Sequence, residues 1–180
     1  GPPEWDVLFI SATHGLAEES EITTYESLVG ELIEECESRG WSLAIKLHPG
    51  STGKWYDERD WAKYVRTFDG ILDAVSSSRV AVTDASSAMI ESALMGTPIL
   101  VTEQLNNTNI QEQISMSNIH FVDPGNLGSA IESHLTKTKR GEQERPSFAD
   151  GTAADQIVAV ALNRPRTEAA STERSARSTT

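Results

Sequence analysis

Cysteine is almost absent from this sequence of 180 residues, in which Cys36 is the single thiol. One cysteine excludes an intrachain disulfide, and it also excludes a zinc site built from several thiolates. The neighbouring residues Leu32, Ile33 and Glu35 indicate a helix around this position. We therefore expect Cys36 to be a buried, unreactive thiol.

Long apolar runs are also missing. The longest ones fall far short of the roughly 20 apolar residues that a membrane-spanning helix needs, and no signal peptide is visible. These absences predict a cytoplasmic protein. The chain opens with Gly1-Pro2 rather than Met, which is typical of the remnant that a protease leaves, so we expect a piece of a longer protein.

Basic residues are scarce relative to acidic ones. The sequence has 15 Lys and Arg against 27 Asp and Glu, which gives a net charge of −12. Such a surface repels polyanions, so the charge balance argues against a nucleic-acid-binding module. A salt-adapted source and an ordinary acidic protein both fit this composition.

Short β-branched runs alternate with helical patterns along most of the chain. The predicted strands cover 6–11, 41–47, 80–82, 99–101 and 119–122. The predicted helices cover 24–38, 58–67, 71–76, a segment from about 86, 110–116, 127–135 and a last segment after 152. This alternation predicts an α/β fold with a doubly wound, Rossmann-like parallel sheet in a single domain.

The ends of this predicted domain follow from composition. We expect the domain to occupy residues 1–162, and the Arg-, Ser- and Thr-rich residues 163–180 to form a disordered tail. Within the domain, residues 51–60 are typical of an irregular insertion. Its Trp55 could cap a ligand, but Trp55 and Trp61 are more typical of half-buried anchors.

The middle of the chain is typical of a strand, a tight turn, a helix and a second strand. Asp84, Ser86 and Ser87 suit the start of a helix, and Gly96 suits its left-handed end. A helix N-terminus after a parallel strand attracts phosphate. Glu91, one turn further on, is placed to reach a ribose attached to that phosphate. The alternative is an ordinary N-cap followed by a solvated glutamate.

Polar side chains follow three of the predicted strands. His14 follows the first strand, Lys46 and His48 end the second, and Asp84 and Ser86 follow the central one. The carboxyl ends of parallel strands meet at one edge of a sheet, and ligands bind beyond that edge. The sequence therefore predicts a binding site where these residues emerge.

Three motifs in this order resemble the CDP-glycerol glycerophosphotransferase group, the teichoic-acid-type polymerases and primases. The motifs are Lys46-Leu47-His48-Pro49, Val82-Thr83-Asp84-Ala85-Ser86-Ser87 and Asp150-Gly151-Thr152-Ala153. The resemblance covers residues 7–162 and implies the C-terminal, nucleotide-binding half of a GT-B fold.

The resemblance implies a site for a nucleotide-diphosphate donor such as CDP-glycerol. His48 matches the histidine that in this family lies beside the pyrophosphate and is needed for activity, which makes it the catalytic candidate. An imidazole there can donate to a phosphate oxygen or, when protonated, offset charge on the leaving group. Ser86 and Ser87 match the serine pair that holds the diphosphate. The alternative for His48 is a ring satisfied by backbone groups at a strand end.

Further donor contacts are implied in the same way. Glu91 corresponds to an acidic position that meets the ribose hydroxyls in related GT-B folds. Asp150, Gly151 and Thr152 match an element that opens the last helix and points back towards the diphosphate. His14, Lys46 and Asp84 are the remaining substrate-binding candidates. No carboxylate cluster suggests a metal, and no cofactor is expected.

The chain departs from the family pattern in two ways. Ala85 stands where the family usually has an aromatic residue, and the N-terminal half that normally carries the acceptor site and a proposed general base is absent. The resemblance therefore implies two partners, that missing domain and a membrane-linked acceptor, and a peripheral location at the inner face of the membrane. His120 and His134 are expected to be structural.

Two other functions remain open. One is a UDP-sugar glycosyltransferase or a UDP-N-acetylglucosamine 2-epimerase-like GT-B enzyme, although such epimerases have glycines where this chain has Ser86 and Ser87. The other is a nucleotide-binding fragment that is not catalytic by itself.

Overall fold

A computed structural model describes residues 2–11, 19–84, 87–93, 95–102 and 118–139. All of these belong to one compact unit within residues 1–147. The predicted boundary at residue 162 and the predicted tail lie outside the described residues and stay predictions.

The described residues form six strands and five α-helices. The strands are β1 (Trp5–Ile10), β2 (Leu43–Lys46), β3 (Val65–Arg66), β4 (Ser78–Asp84), β5 (Ile99–Thr102) and β6 (Ile119–Phe121). The helices are α1 (Glu19–Arg39), α2 (Lys54–Asp57), α3 (Ile71–Ser76), α4 (Ser87–Ala93) and α5 (Leu127–Lys139), with 3₁₀ turns at Ala62–Tyr64 and Pro124–Asn126.

All six strands join one sheet in the order β3-β2-β1-β4-β5-β6, and every neighbouring pair is parallel. The register aligns the strand ends, since Ile10 lies opposite both Lys46 and Thr83, and Thr83 lies opposite Val101. This order confirms the predicted doubly wound, Rossmann-like sheet.

The region after β2 differs from its prediction. The sequence predicts a helix over 58–67, but Asp60 takes a φ of 57° and a 3₁₀ turn and strand β3 follow. A left-handed aspartate interrupts any helix, and a strand of two residues is too short to show alternation. The expected irregular insertion 51–60 also contains the short helix α2.

Other elements agree in type and differ in length. Helix α1 begins five residues before the predicted start at 24. The polar residues before 24 resemble a loop, but they include Glu19 and Glu21, and acidic residues favour a helix N-terminus. Strand β4 is longer than 80–82, β2 is shorter than 41–47, and α3 matches its prediction. The predicted helices at 110–116 and after 152 lie outside the described residues.

Each face of the sheet is covered by a different pair of helices. Val7 and Phe9 pack with Leu28 of α1 and Ile131 of α5, and we call this the α1/α5 face. On the opposite face, Leu8 and Ala81 of the sheet pack with Ala74 of α3 and Met89 of α4, and we call this the α3/α4 face.

The single cysteine belongs to the core of the α1/α5 face. Cys36 is 1% exposed, and burial with nearby carboxylates raises the pKa of its thiol to about 12. The predicted burial of the thiol is therefore confirmed. Only the thiolate is a good nucleophile, so the raised pKa supports the prediction that the thiol is unreactive.

Candidate functional site

The strand order reverses between β1 and β4. From β1 the sheet continues to β2 and β3 in one direction, and from β4 to β5 and β6 in the other. In doubly wound sheets this switch point opens a crevice beyond the carboxyl ends of the two central strands, where ligands bind. The candidate site therefore lies at the carboxyl ends of β1, β2, β4 and β5.

The register decides which side chains meet at this edge. Side chains alternate between the two faces along a strand, so Ser11, Asp84 and Thr102 project on the α1/α5 face, as do Phe9 and Val82. Ser11 and Thr102 are buried, whereas Asp84 is half-buried. Three adjacent strands thus end in a row of oxygen-bearing side chains.

Ser11 is the centre of a buried hydroxyl cluster that the sequence analysis missed. Its Oγ accepts hydrogen bonds from the hydroxyls of Tyr25, at 3.3 Å, and Tyr56, at 2.7 Å. Both tyrosines are at most 1% exposed. The partners are 14 and 45 residues from Ser11, so no local pattern in the sequence indicates the cluster.

An aromatic cluster holds the segment after β2 against α1. The Trp55 ring lies 4.9–5.6 Å, centroid to centroid, from the rings of Tyr25, Tyr56 and Trp61. The Arg59 guanidinium lies 4.2 Å above the Trp55 ring and also binds a carboxylate of α1, on Glu26, at 2.9 Å. Trp55 and Trp61 are half-buried, as predicted, and they anchor the loop that precedes them.

His48 lies on that loop, just beyond the carboxyl end of β2. Its carbonyl accepts from the Ser51 N–H at 2.8 Å, which closes a turn over Pro49 and Gly50. Its Nδ1 accepts from the Gly50 N–H at 3.0 Å. A Cβ at position 50 would lie 3.3 Å from Nδ1, so glycine permits this close approach.

This turn has a chemical consequence for the His48 ring. A neutral imidazole carries one N–H, and because Nδ1 accepts a hydrogen bond, Nε2 carries that hydrogen. The backbone contact foreseen as the alternative is present and uses Nδ1, which makes Nε2 the donor nitrogen of the neutral ring.

Lys46 and Asp84 end their strands at the same edge. Lys46 is half-buried, and its Nζ lies 3.4 Å from the Leu47 carbonyl. Asp84 Oδ1 accepts from the Thr83 hydroxyl at 3.4 Å. The structure therefore places Lys46, His48 and Asp84 at one edge of the sheet, as their positions at or just after the ends of predicted strands suggested. The alternation of side chains puts Lys46 on the α3/α4 face and Asp84 on the α1/α5 face.

The other predicted site residues are described only in part or not at all. Ser87 opens α4 and Glu91 lies within that helix, while their side chains lie outside the described part. Gly96 has a φ of 79°, as predicted for the left-handed end of this helix. The remaining predicted positions lie outside the described residues, namely His14, Ser86, Asp150, Gly151 and Thr152.

Two histidines lie away from this edge. His120 in β6 and His134 in α5 contact each other with ring centroids 4.5 Å apart. Burial is the first cause that lowers both pKa values, and the Lys137 charge adds to it. Within the described ranges, no three His, Cys, Asp or Glu side chains are grouped so that they could hold a metal ion.

A cavity of about 330 Å³ lies elsewhere, between the second half of α1 and the start of α5. Its lining includes Glu31, Glu34 and Glu35. Carboxylates repel phosphate groups, and the cavity is built from helices rather than strand ends, so we assign the site to the sheet edge instead.

None of the helices in the described segments has both the length and the apolar character needed to cross a membrane.

Comparisons with known proteins identify the fold. No protein-family model and no curated protein sequence matches the chain. Among solved structures, it is similar to the UDP-GlcNAc 2-epimerase of Methanocaldococcus jannaschii in complex with UDP-GlcNAc and UDP, with 14% identity and a TM-score of 0.55. That likeness covers 89% of this chain and 46% of the epimerase.

A second solved structure is a glycotransferase of kitacinnamycin, with 15% identity and a TM-score of 0.41 over 86% of this chain and 38% of that one. The chain spans less than half the length of either protein. The likeness to the epimerase shows a shared fold, a Rossmann-like domain of the GT-B type.

Proposed function

We propose that this chain is the donor-binding domain of a GT-B transferase, and corresponds to the C-terminal half of that fold. The donor is a nucleotide diphosphate that carries glycerol phosphate, a related polyol phosphate or a sugar. The observation that supports this most is that the strand ends carrying Lys46, His48 and Asp84 lie at the same carboxyl edge, beside the β1/β4 switch point. The ordered motifs that resemble the CDP-glycerol glycerophosphotransferases support the same site.

His48 is the proposed catalytic residue. Its Nε2–H can donate to an oxygen of the donor diphosphate, while the Gly50 N–H holds the other ring nitrogen. Such a donor stabilises negative charge as it builds on the leaving phosphate. Lys46, Ser86 and Ser87 are proposed to add further contacts to the diphosphate, and Glu91 to meet the ribose. Asp150, Gly151 and Thr152 are proposed to point back towards the diphosphate.

The proposed reaction is a single displacement. With CDP-glycerol, an acceptor hydroxyl attacks the phosphorus that carries glycerol and a new P–O bond forms. The bond from that phosphorus to the bridging oxygen breaks, and CMP leaves with the electron pair. The acceptor proton passes to a base of the other GT-B half, which we propose as the partner domain. The acceptor is proposed to be a cell-surface polymer or a lipid-linked molecule, reached by the enzyme from the inner membrane surface.

A second candidate uses a UDP-sugar donor, in a glycosyltransferase or a 2-epimerase-like enzyme. The fold shared with a 2-epimerase bound to UDP-GlcNAc and UDP favours it. The serine pair at 86 and 87, where such epimerases have glycines, disfavours the epimerase. In a third possibility the chain binds nucleotide without turnover.

A thermal-shift panel tests the proposal. The full chain is melted with CDP-glycerol, CMP, CDP, UDP, UDP-GlcNAc and a GDP-sugar. A ligand at 100 times its Kd adds about 2.7 kcal/mol to the free energy of unfolding, which raises the Tm of a domain of this size by roughly 5–10 °C. We expect the cytidine diphosphates to produce this rise.

The matched variants are His48→Asn and His134→Asn. In the first, the side-chain oxygen of the introduced asparagine can still accept from the Gly50 N–H, so the turn is retained and only the Nε2 donor is lost. We expect His48→Asn to abolish most of the shift and His134→Asn to retain it. A shift with UDP-GlcNAc alone favours the second candidate, and no shift with any ligand overturns the proposal for this chain.

A further inference from the structure

Thr102 ends β5 beside the switch point. In the β4–β5 register it lies directly opposite Asp84, and neighbouring strands lie about 4.8 Å apart. Both side chains project on the α1/α5 face. On the other side of β5, Val122 follows β6. Its N–H donates to the Val101 carbonyl, and its side chain is apolar. Asp84 is therefore the polar neighbour of Thr102 within the described strands.

The Thr102 hydroxyl is buried and unpaired. The residue is 1% exposed, and its Oγ1 has no hydrogen-bond partner within the described part of the chain. A buried hydroxyl without a hydrogen-bond partner destabilises a protein, and such groups are rare in native structures. The hydroxyl of Ser11, in the same row, receives two hydrogen bonds from tyrosines.

The pairing with Asp84 limits what this hydroxyl can bind. A carboxylate accepts hydrogen bonds and repels phosphate oxygens, whereas a threonine hydroxyl both donates and accepts. Together they suit a neutral group that carries hydroxyls, since such a group can donate to the carboxylate and exchange a hydrogen bond with the threonine. Desolvation by the surrounding sheet strengthens both contacts.

We propose that Thr102 and Asp84 form a subsite for a hydroxyl-bearing part of the donor. This inference rests on the proposed function and adds a specificity contact at the end of β5. The hydroxyls come from the ribose or from the transferred polyol or sugar. CDP and UDP carry only the ribose, whereas CDP-glycerol and UDP-GlcNAc also carry the transferred group.

The experiment compares three variants of the full chain with the wild type. Thr102→Val replaces the hydroxyl by a methyl of similar size, and Thr102→Ser keeps the hydroxyl. Ser92→Ala is the control, because Ser92 Oγ is also buried and unpaired within the described residues but lies near the far end of α4. Titration calorimetry uses CDP-glycerol, CDP and inorganic pyrophosphate, with UDP-GlcNAc and UDP as a parallel pair.

We expect Thr102→Val to weaken binding of the diphosphate donor by about 5- to 10-fold, as the loss of one hydrogen bond does. Thr102→Ser and Ser92→Ala should bind as the wild type does. Without ligand, Thr102→Val should melt at the wild-type temperature or above it, because the lost hydroxyl had no partner. A loss seen equally with CDP assigns the contact to the ribose, and a loss only with CDP-glycerol or UDP-GlcNAc assigns it to the transferred group.

Other results overturn the inference. Unchanged donor affinity in Thr102→Val removes the subsite and leaves the proposed function standing. An equal loss of pyrophosphate binding means that Thr102 contacts phosphate, and a lower melting temperature without ligand means that its hydroxyl has an internal partner. A wild type that binds none of the nucleotides overturns the proposed function and this inference together.

Discussion

The Tyr56 hydroxyl donates a hydrogen bond of 2.7 Å to Ser11 Oγ, across 45 residues of sequence and with both residues buried. Ser11 immediately follows β1, while Tyr56 lies in α2, a few residues after His48. Burial raises the pKa of Tyr56 well above its usual value, so the hydroxyl stays protonated and remains a donor. This bond ties the loop that carries the catalytic candidate to the central strand of the sheet.

Removing this hydroxyl should loosen that loop. We expect Tyr56→Phe to lower the free energy of unfolding by about 1 kcal/mol, the usual value of a buried hydrogen bond. Amide exchange at residues 48–57 should accelerate more than exchange in β1. Tyr64→Phe is the control, since the Tyr64 hydroxyl binds Glu37 at the surface. Equal exchange rates in both variants would contradict the tie between Tyr56 and the His48 loop.

Near the amino ends of β1 and β4, Arg79 and Asp6 form an ion pair with 2.5 Å between Nη1 and Oδ1. Arg79 also donates to the Leu135 carbonyl at 2.6 Å, and Asp6 accepts from the Ser42 N–H at 3.0 Å. Burial alone would raise the pKa of Asp6, but the hydrogen bonds from Ser42 and Arg79 outweigh it and lower the pKa. The pair thereby links β1, β4 and α5.

Breaking this pair should destabilise the domain strongly. Arg79→Ala leaves the half-buried Asp6 carboxylate without its cation, and we expect a loss of about 2 kcal/mol, as for a hydrogen bond between charged groups, measured by urea unfolding. Arg39→Ala breaks the exposed pairs with Glu35 and Glu132 instead. Such surface pairs contribute little, so its urea midpoint should stay close to that of the wild type. Similar midpoints for the two variants would refute the structural role of the Asp6 pair.

The contact between His120 and His134 predicts an acid-sensitive domain. Burial, the neighbouring His120 and Lys137 lower the pKa of His134 to about 4, and burial with Lys137 lowers that of His120. In the unfolded chain the His134 imidazole is protonated as the pH falls through the ordinary pKa of 6.5, whereas in the folded protein it is protonated only near pH 4. Stability from these residues is therefore complete above pH 6.5 and decreases as the pH falls towards 4.

Urea unfolding at about pH 7.5, 6.0 and 5.0 measures this dependence. We expect the midpoint to decrease over this series in the wild type, and to decrease less in the double variant His120→Gln/His134→Gln, which lacks both titrating rings. A wild-type midpoint that stays constant over the whole series would contradict the lowered pKa values.

Local patterns in the sequence predicted most of the sheet. Short, mostly apolar runs predicted β1, β4, β5 and β6, and helical spacing of apolar residues predicted α3 and α5. Each of these patterns reflects which side chains of a single element are buried. The same logic failed where an element is too short or too polar to show a pattern. Strand β3 has two residues, and the first turn of α1 is acidic on its solvent side.

By itself the sequence determined the α/β class, the buried thiol of Cys36 and the positions of Lys46, His48 and Asp84 at strand ends, because these depend on neighbours within a few residues. Only the tertiary structure decided which side chains meet. The strand order and register bring Ser11, Asp84 and Thr102 into one row, join Tyr56 to Ser11 and leave the Thr102 hydroxyl unpaired in the described strands. Such contacts depend on the alignment of strands that are distant in sequence, and no periodicity within one segment encodes that alignment.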